Sequence, residues 1–109
     1  MNGRPVDFSR INAVALACLP SILAHWLPDG RRRFHEYTAL NPTRNDRPAG
    51  SFRINLRSGR WADFATGDKG GDPISLAAYL FRINQREAAL RLAAMLNLDP
   101  HQRETRRRP

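Results

Sequence analysis

The chain has 109 residues, the length of one small domain, and its 41% hydrophobic and 26% charged content excludes an intrinsically disordered polymer. Eighteen Lys and Arg against ten Asp and Glu leave a net charge of +8, and Lys69 is the only lysine. An arginine excess of this size points to partners that carry phosphate or carboxylate, and it also fits the codon bias of a GC-rich genome. Cys18 is the only cysteine, so an intramolecular disulfide and a cysteine metal cluster are both excluded, and a reducing compartment, the cytoplasm, is expected.

Asp7 or Ser9 can cap a first helix. Ile11, Val14, Leu16, Leu19, Ile22, Leu23, Trp26 and Leu27 follow at roughly helical spacing. Asn12, Pro20 and His25 interrupt this apolar run, which makes it a core segment rather than a membrane span or a leader. Pro20 should end or kink the helix, and Pro28-Asp29-Gly30 is a stop and a turn. The helical part is expected over about 7–28.

The next part, about 34–65, reads as a sheet. Phe34 to Leu40 favours a strand, and Asn41 to Gly50 reads as a loop rich in Pro and Asn. Phe52, Ile54 and Leu56 alternate with Arg53, Asn55 and Arg57, the pattern of a half-buried strand with one basic face. Ser58-Gly59 turns the chain, and Arg60 to Phe64 returns as the third strand. Gly67 to Gly71 is a glycine-rich connection without the Gly-Lys-Ser/Thr of a nucleotide-binding loop. Its backbone could still meet a phosphate where the next helix starts, although Asp72 as cap competes.

Two helices are expected over about 72–97. Asp72 caps the first, with Pro73 at its first position. Asn84 caps the second, with Glu87 completing a capping box. The tail His101 to Pro109 carries Arg103, Arg106, Arg107 and Arg108 and is expected to be disordered. The expected architecture is one α+β domain over 1–100, a three-stranded antiparallel sheet with helices on one face.

The ordered set Asn41-Pro42, Gly50-Ser51-Phe52, Trp61-Ala62-Asp63-Phe64 and Gly70-Gly71-Asp72 resembles the CHC2 zinc-finger domain that opens DnaG-type DNA primases. That family reads Cys-Pro-x-His, Pro-Ser-Phe, Tyr-x-Cys-Phe-x-Cys and Gly-Gly-Asp before a helix. The resemblance covers about residues 34–96. It extends to zinc-less N-terminal segments of primase or primase-helicase proteins of phages and other mobile elements. It implies a zinc-ribbon-like fold, a role in DNA replication, and a sheet face that engages single-stranded template. All four ligand positions depart from the family, being Asn41, Arg44, Asp63 and Thr66, so no metal and no cofactor is expected. In place of zinc an Arg44–Asp63 ion pair is expected, with Asn41 and Thr66 hydrogen-bonding nearby. His25, His35 and His101 share no ligand spacing.

The candidate nucleic-acid-binding residues are Arg44, Arg47, Arg53, Asn55, Arg57, Arg60, Trp61 and Lys69. Arginines neutralise phosphates, and an aromatic on a sheet stacks unpaired bases. Trp61 has two readings, a stacking platform or a core residue packed on Ile74 or Leu76. Arg31 to Arg33 and the arginines of the tail add non-specific phosphate contacts. No Ser/His/Asp or Cys/His set and no acidic cluster is apparent, so a catalytic role is not expected. The expected function is a non-catalytic module that binds single-stranded DNA for a primase or primase-helicase. The alternative is an adaptor that docks on a replication protein.

Overall fold

The structure, a computed structural model, describes residues 4–43 and 51–102. The chain is α+β. Helices α1 (Phe8–Ala17) and α2 (Leu19–Trp26) come first. Strands β1 (Arg31–Arg33), β2 (Glu36–Ala39), β3 (Phe52–Asn55), β4 (Trp61–Asp63) and β5 (Lys69–Gly70) follow, then helices α3 (Pro73–Phe81) and α4 (Gln85–Met95).

The strands form one antiparallel meander in the order β1-β2-β3-β4-β5, five strands where the sequence indicates three. The two additional strands are the edges. All three residues of β1 are exposed arginines, and β5 is only Lys69 and Gly70, so neither carries the apolar alternation that marks a half-buried strand. A short or charged edge also resists pairing with a second sheet. Each predicted central strand is trimmed. The chain at Phe34–His35 is a turn, with Phe34 in the left-handed region at φ 56°, and β3 stops at Asn55.

The helical segment breaks at Cys18, and the axes of α1 and α2 diverge by 84°. Pro20 sits in the first turn of α2, where its missing N–H costs no hydrogen bond. Asp7 is the cap of α1, accepting from Arg10 N at 3.1 Å. No single helix among the described residues is long and apolar enough to cross a membrane. Asn84 caps α4 as expected, accepting from Glu87 N at 2.7 Å. The Glu87 carboxylate meets Arg91 at 3.1 Å, one turn along.

One core joins both layers. Ile11, Leu19, Leu23, Phe52, Ile54, Ile74, Leu76 and Leu92 are nearly or fully buried in it. Tyr37 on β2 reaches α2 and donates to Leu27 O at 2.7 Å. Tyr79 on α3 packs against Phe52 and Trp61, with ring centroids 6.2 and 4.6 Å apart. Helices α2 and α3 therefore cover one face of the sheet and leave the other open. The two ends of the described chain are tied together. Val6 bridges His101, Asp7 N donates to Pro100 O, and Gln102 N donates to Pro5 O, so His101 and Gln102 are held rather than free as the sequence suggested.

Candidate nucleic-acid interface

Strand register decides which side chains share the open face. Cross-strand partners point the same way. Arg31 pairs with Thr38, Thr38 with Arg53, Arg53 with Ala62 and Ala62 with Lys69, a single row across all five strands. Arg33, Glu36 and Asn55 form a parallel row. Tyr37, Ile54 and Trp61 alternate with these and are buried against the helices. Among the described strand residues the open face thus carries Arg31, Arg33, Arg53 and Lys69 against one carboxylate, Glu36.

Ala62 is small, and the face is hollowed beside it. The depression holds about 620 Å³ and is rimmed by Glu36, Arg53, Arg60, Phe64 and Lys69. Arg53 Nη1 lies 3.7 Å from Glu36 Oε2, and its guanidinium sits 5.6 Å from the centroid of the Phe64 ring. Phe64 is 72% exposed.

The structure divides the sequence-derived candidates. Arg53, Asn55, Arg60 and Lys69 are exposed and line the depression together. Asn55 spends its Oδ1 on the hairpin, accepting from Arg57 N at 2.8 Å and Ser58 N at 3.0 Å, and this side-chain cap ends the strand. Arg57 therefore lies in the turn, outside the strand face to which the alternation assigned it. Arg44 and Arg47 lie outside the described residues, as do the tail arginines from Arg103 onward.

Trp61 is a core residue. It is 5% exposed, it packs edge-on against Phe52 at 6.2 Å, and its Nε1 donates to Ser75 Oγ at 2.9 Å. It shares the core with Ile74 and Leu76, and its ring also lies 4.6 Å from that of Tyr79. An aromatic beside the open depression is Phe64, which is absent from the sequence-derived candidates. The signal was available: Ala62 and Phe64 alternate with Trp61 and Asp63, so burying Trp61 turns Phe64 outward.

Asn41 and Asp63, two of the four positions that the resemblance singled out, form a buried polar link. Asn41 and Asp63 are 3% and 0% exposed. Asn41 Nδ2 donates to Asp63 Oδ2 and to Tyr79 Oη, each at 2.8 Å. Asn41 Oδ1 accepts from Thr43 N and Oγ1, at 2.9 and 2.7 Å. Asp63 Oδ1 accepts from Ala65 N at 2.9 Å, and Tyr79 Oη donates to Asp68 Oδ2 at 2.7 Å. Thr66 braces the following turn, with its Oγ1 accepting from Asp68 N at 3.1 Å. The expected Arg44–Asp63 pair lies outside the described residues. Among the described residues no three His, Cys, Asp or Glu side chains converge on one point.

The start of α3 is filled by the protein itself. Asp72 Oδ1 accepts from Ser75 N at 2.8 Å, and Ser75 Oγ accepts from Asp72 N at 3.2 Å. Asn12 of α1 takes Ile74 N at 2.9 Å. These bonds occupy the N–H groups at the start of α3 that a phosphate there would need. Gly70 is required in the connection that leads there, because a Cβ would overlap Trp61 Nε1 and Ser75 Oγ.

No protein-family model matches this chain, and no curated protein matches it. The likeness to primase zinc fingers rests on the short runs at 41–42, 50–52, 61–64 and 70–72.

Proposed function

We propose that this chain is a non-catalytic module that binds single-stranded DNA on the open face of its sheet, as the template-holding part of a primase or primase-helicase in replication of a phage or mobile element. The observation that carries the reading is the cationic row Arg31, Arg53 and Lys69 across the sheet, with Arg33 and Arg60 beside it and an exposed aromatic, Phe64, at its margin. Cations that track a backbone and an aromatic that stacks bases are the two parts a sequence-tolerant single-strand site needs. An unpaired base can reach Phe64 over the hollow at Ala62, whereas a paired base keeps its flat faces inside the stack. The reading places the protein in the cytoplasm, with no cofactor. Its assignment to a primase rests on the resemblance alone.

The test is fluorescence anisotropy with labelled single-stranded and double-stranded DNA over a salt series. Single strands are expected to bind more tightly, with affinity falling as salt rises. Replacing Arg53, Arg60 and Lys69 together by Ala should flatten the log–log salt slope by about 2, at roughly 0.7 for each phosphate left unneutralised. Folded protein that binds neither DNA at physiological salt would end this reading.

A second reading, an adaptor docking on a replication protein, draws on the helical side. There Trp26, Phe81, Ile83 and Met95 border a groove of about 180 Å³, with Phe81 44% and Met95 43% exposed. Failure of DNA binding would move the search to a partner for this groove.

A further inference from the structure

We infer that Phe34 and Phe64 are a pair of base-stacking stations and that a single strand crosses the sheet obliquely from one to the other. The inference rests on the single-strand reading and gives it a path and a footprint.

Phe34 is 82% exposed, so its ring contributes little to the core. Its backbone is nevertheless in the left-handed region at φ 56°, a conformation that bulky residues rarely adopt and that glycine would take without strain. Arg32 Nε donates to Phe34 O at 3.1 Å and holds the turn. The fold thus spends conformational energy to present an apolar ring to solvent, an arrangement associated with binding sites.

The ring stands beside a second depression of about 510 Å³, formed with Arg33, His35, Glu36 and Asn55. Glu36 and Asn55 also line the depression under Phe64, so the two hollows adjoin at these residues and the path runs along both. Phe34 stands at one end of it, where β1 turns into β2, and Phe64 at the other, just past the last residue of β4. The separation is about five residue rises along the strands and roughly two strand spacings across them, or about 20 Å. Between the two rings lie Arg33, Arg53 and Arg60, set to meet the phosphates that join the two stacked bases. A rigid duplex has no free base face to offer either ring.

The experiment compares oligothymidine of about 16 nucleotides, the upper site size of a small single-strand module, with an abasic oligomer of the same length. Phe34→Ala and Phe64→Ala are each expected to weaken oligothymidine binding roughly five- to 150-fold. Both should leave abasic binding, the salt slope and Tm unchanged. The double variant should bring the thymidine-to-abasic affinity ratio close to one. If either single variant binds oligothymidine as wild type does, the pair is overturned, while salt-dependent wild-type binding would keep the single-strand reading. Equal wild-type affinity for the two oligomers overturns the pair in the same way. Wild-type protein that binds neither oligomer removes the single-strand reading and the pair with it, and leaves the face to an acidic protein.

Discussion

The side-chain amide of Asn41 donates to the carboxylate of Asp63 across 2.8 Å, with both residues buried. This bond joins the loop leaving β2 to the turn leaving β4, and Tyr79 ties both to α3. Asp63→Ala would strand the second Asn41 hydrogen in a buried site and remove the acceptor of the Ala65 N–H. A loss of about 3 kcal/mol is expected, within the range for orphaned buried donors and a broken network. For a domain of this size that is a fall in Tm of roughly 10–20 °C. A thermal melt of Asp63→Ala beside wild type checks it, and an unchanged Tm would show that the link holds nothing together.

Tyr37 makes alkaline stability a test of the contact between sheet and helix. Burial of the phenol raises its pKa above the ordinary 10.0, and the negative charge of Asp29 adds to the rise against a lowering hydrogen bond from the Gly30 backbone. The folded state favours the neutral phenol, which donates to Leu27 O. The contribution is therefore complete below the unfolded value near 10 and is lost as pH climbs through the raised folded value. Tyr37→Phe should cost about 1 kcal/mol at neutral pH, the ordinary worth of one hydrogen bond. It should also flatten the decline of Tm between neutral pH and about pH 11. A variant that follows the wild-type alkaline limb would assign that limb to another group.

Glu36 is the one carboxylate among the described strand residues of the cationic face, 3.7 Å from Arg53. Both side chains are about half exposed, so the pair itself is worth little. Its carboxylate, however, lines both hollows and opposes a polyanion lying there. Glu36→Gln is expected to tighten single-strand binding roughly two- to five-fold at low ionic strength, the size of one screened surface charge. The gain should vanish in high salt. Equal or weaker binding at low salt would mean that the strand does not pass over this residue.

Local chemistry was legible wherever a residue acts on its own neighbours. Asp72 and Asn84 cap the helices they were expected to cap, and of the two candidates for the first helix Asp7 is the cap, because an N-cap bond closes within three residues. The alternation of Phe52 to Asn55 marks a strand with arginine outward, because one pleated face meets the core. The edge strands were hidden. Arg31 to Arg33 and Lys69-Gly70 bury no apolar side chains, and only hydrogen bonds to β2 and β4 make them strands. Arg57 departs from the strand pattern because the Asn55 side chain ends the strand first, a choice that periodicity does not register.

By itself the sequence determined an α+β chain with capped helices and a strongly basic character, since each is a property of residue type or short-range spacing. Tertiary structure alone decided the face. Trp61 and Phe64 are both aromatic and close neighbours in the chain, yet one is sealed against Tyr79 and the other is open to solvent. That difference follows from which side of the sheet α3 covers. Packing across the chain sets it, and likewise joins Asn41 to Asp63 over 22 residues and brings Arg31 into one row with Lys69.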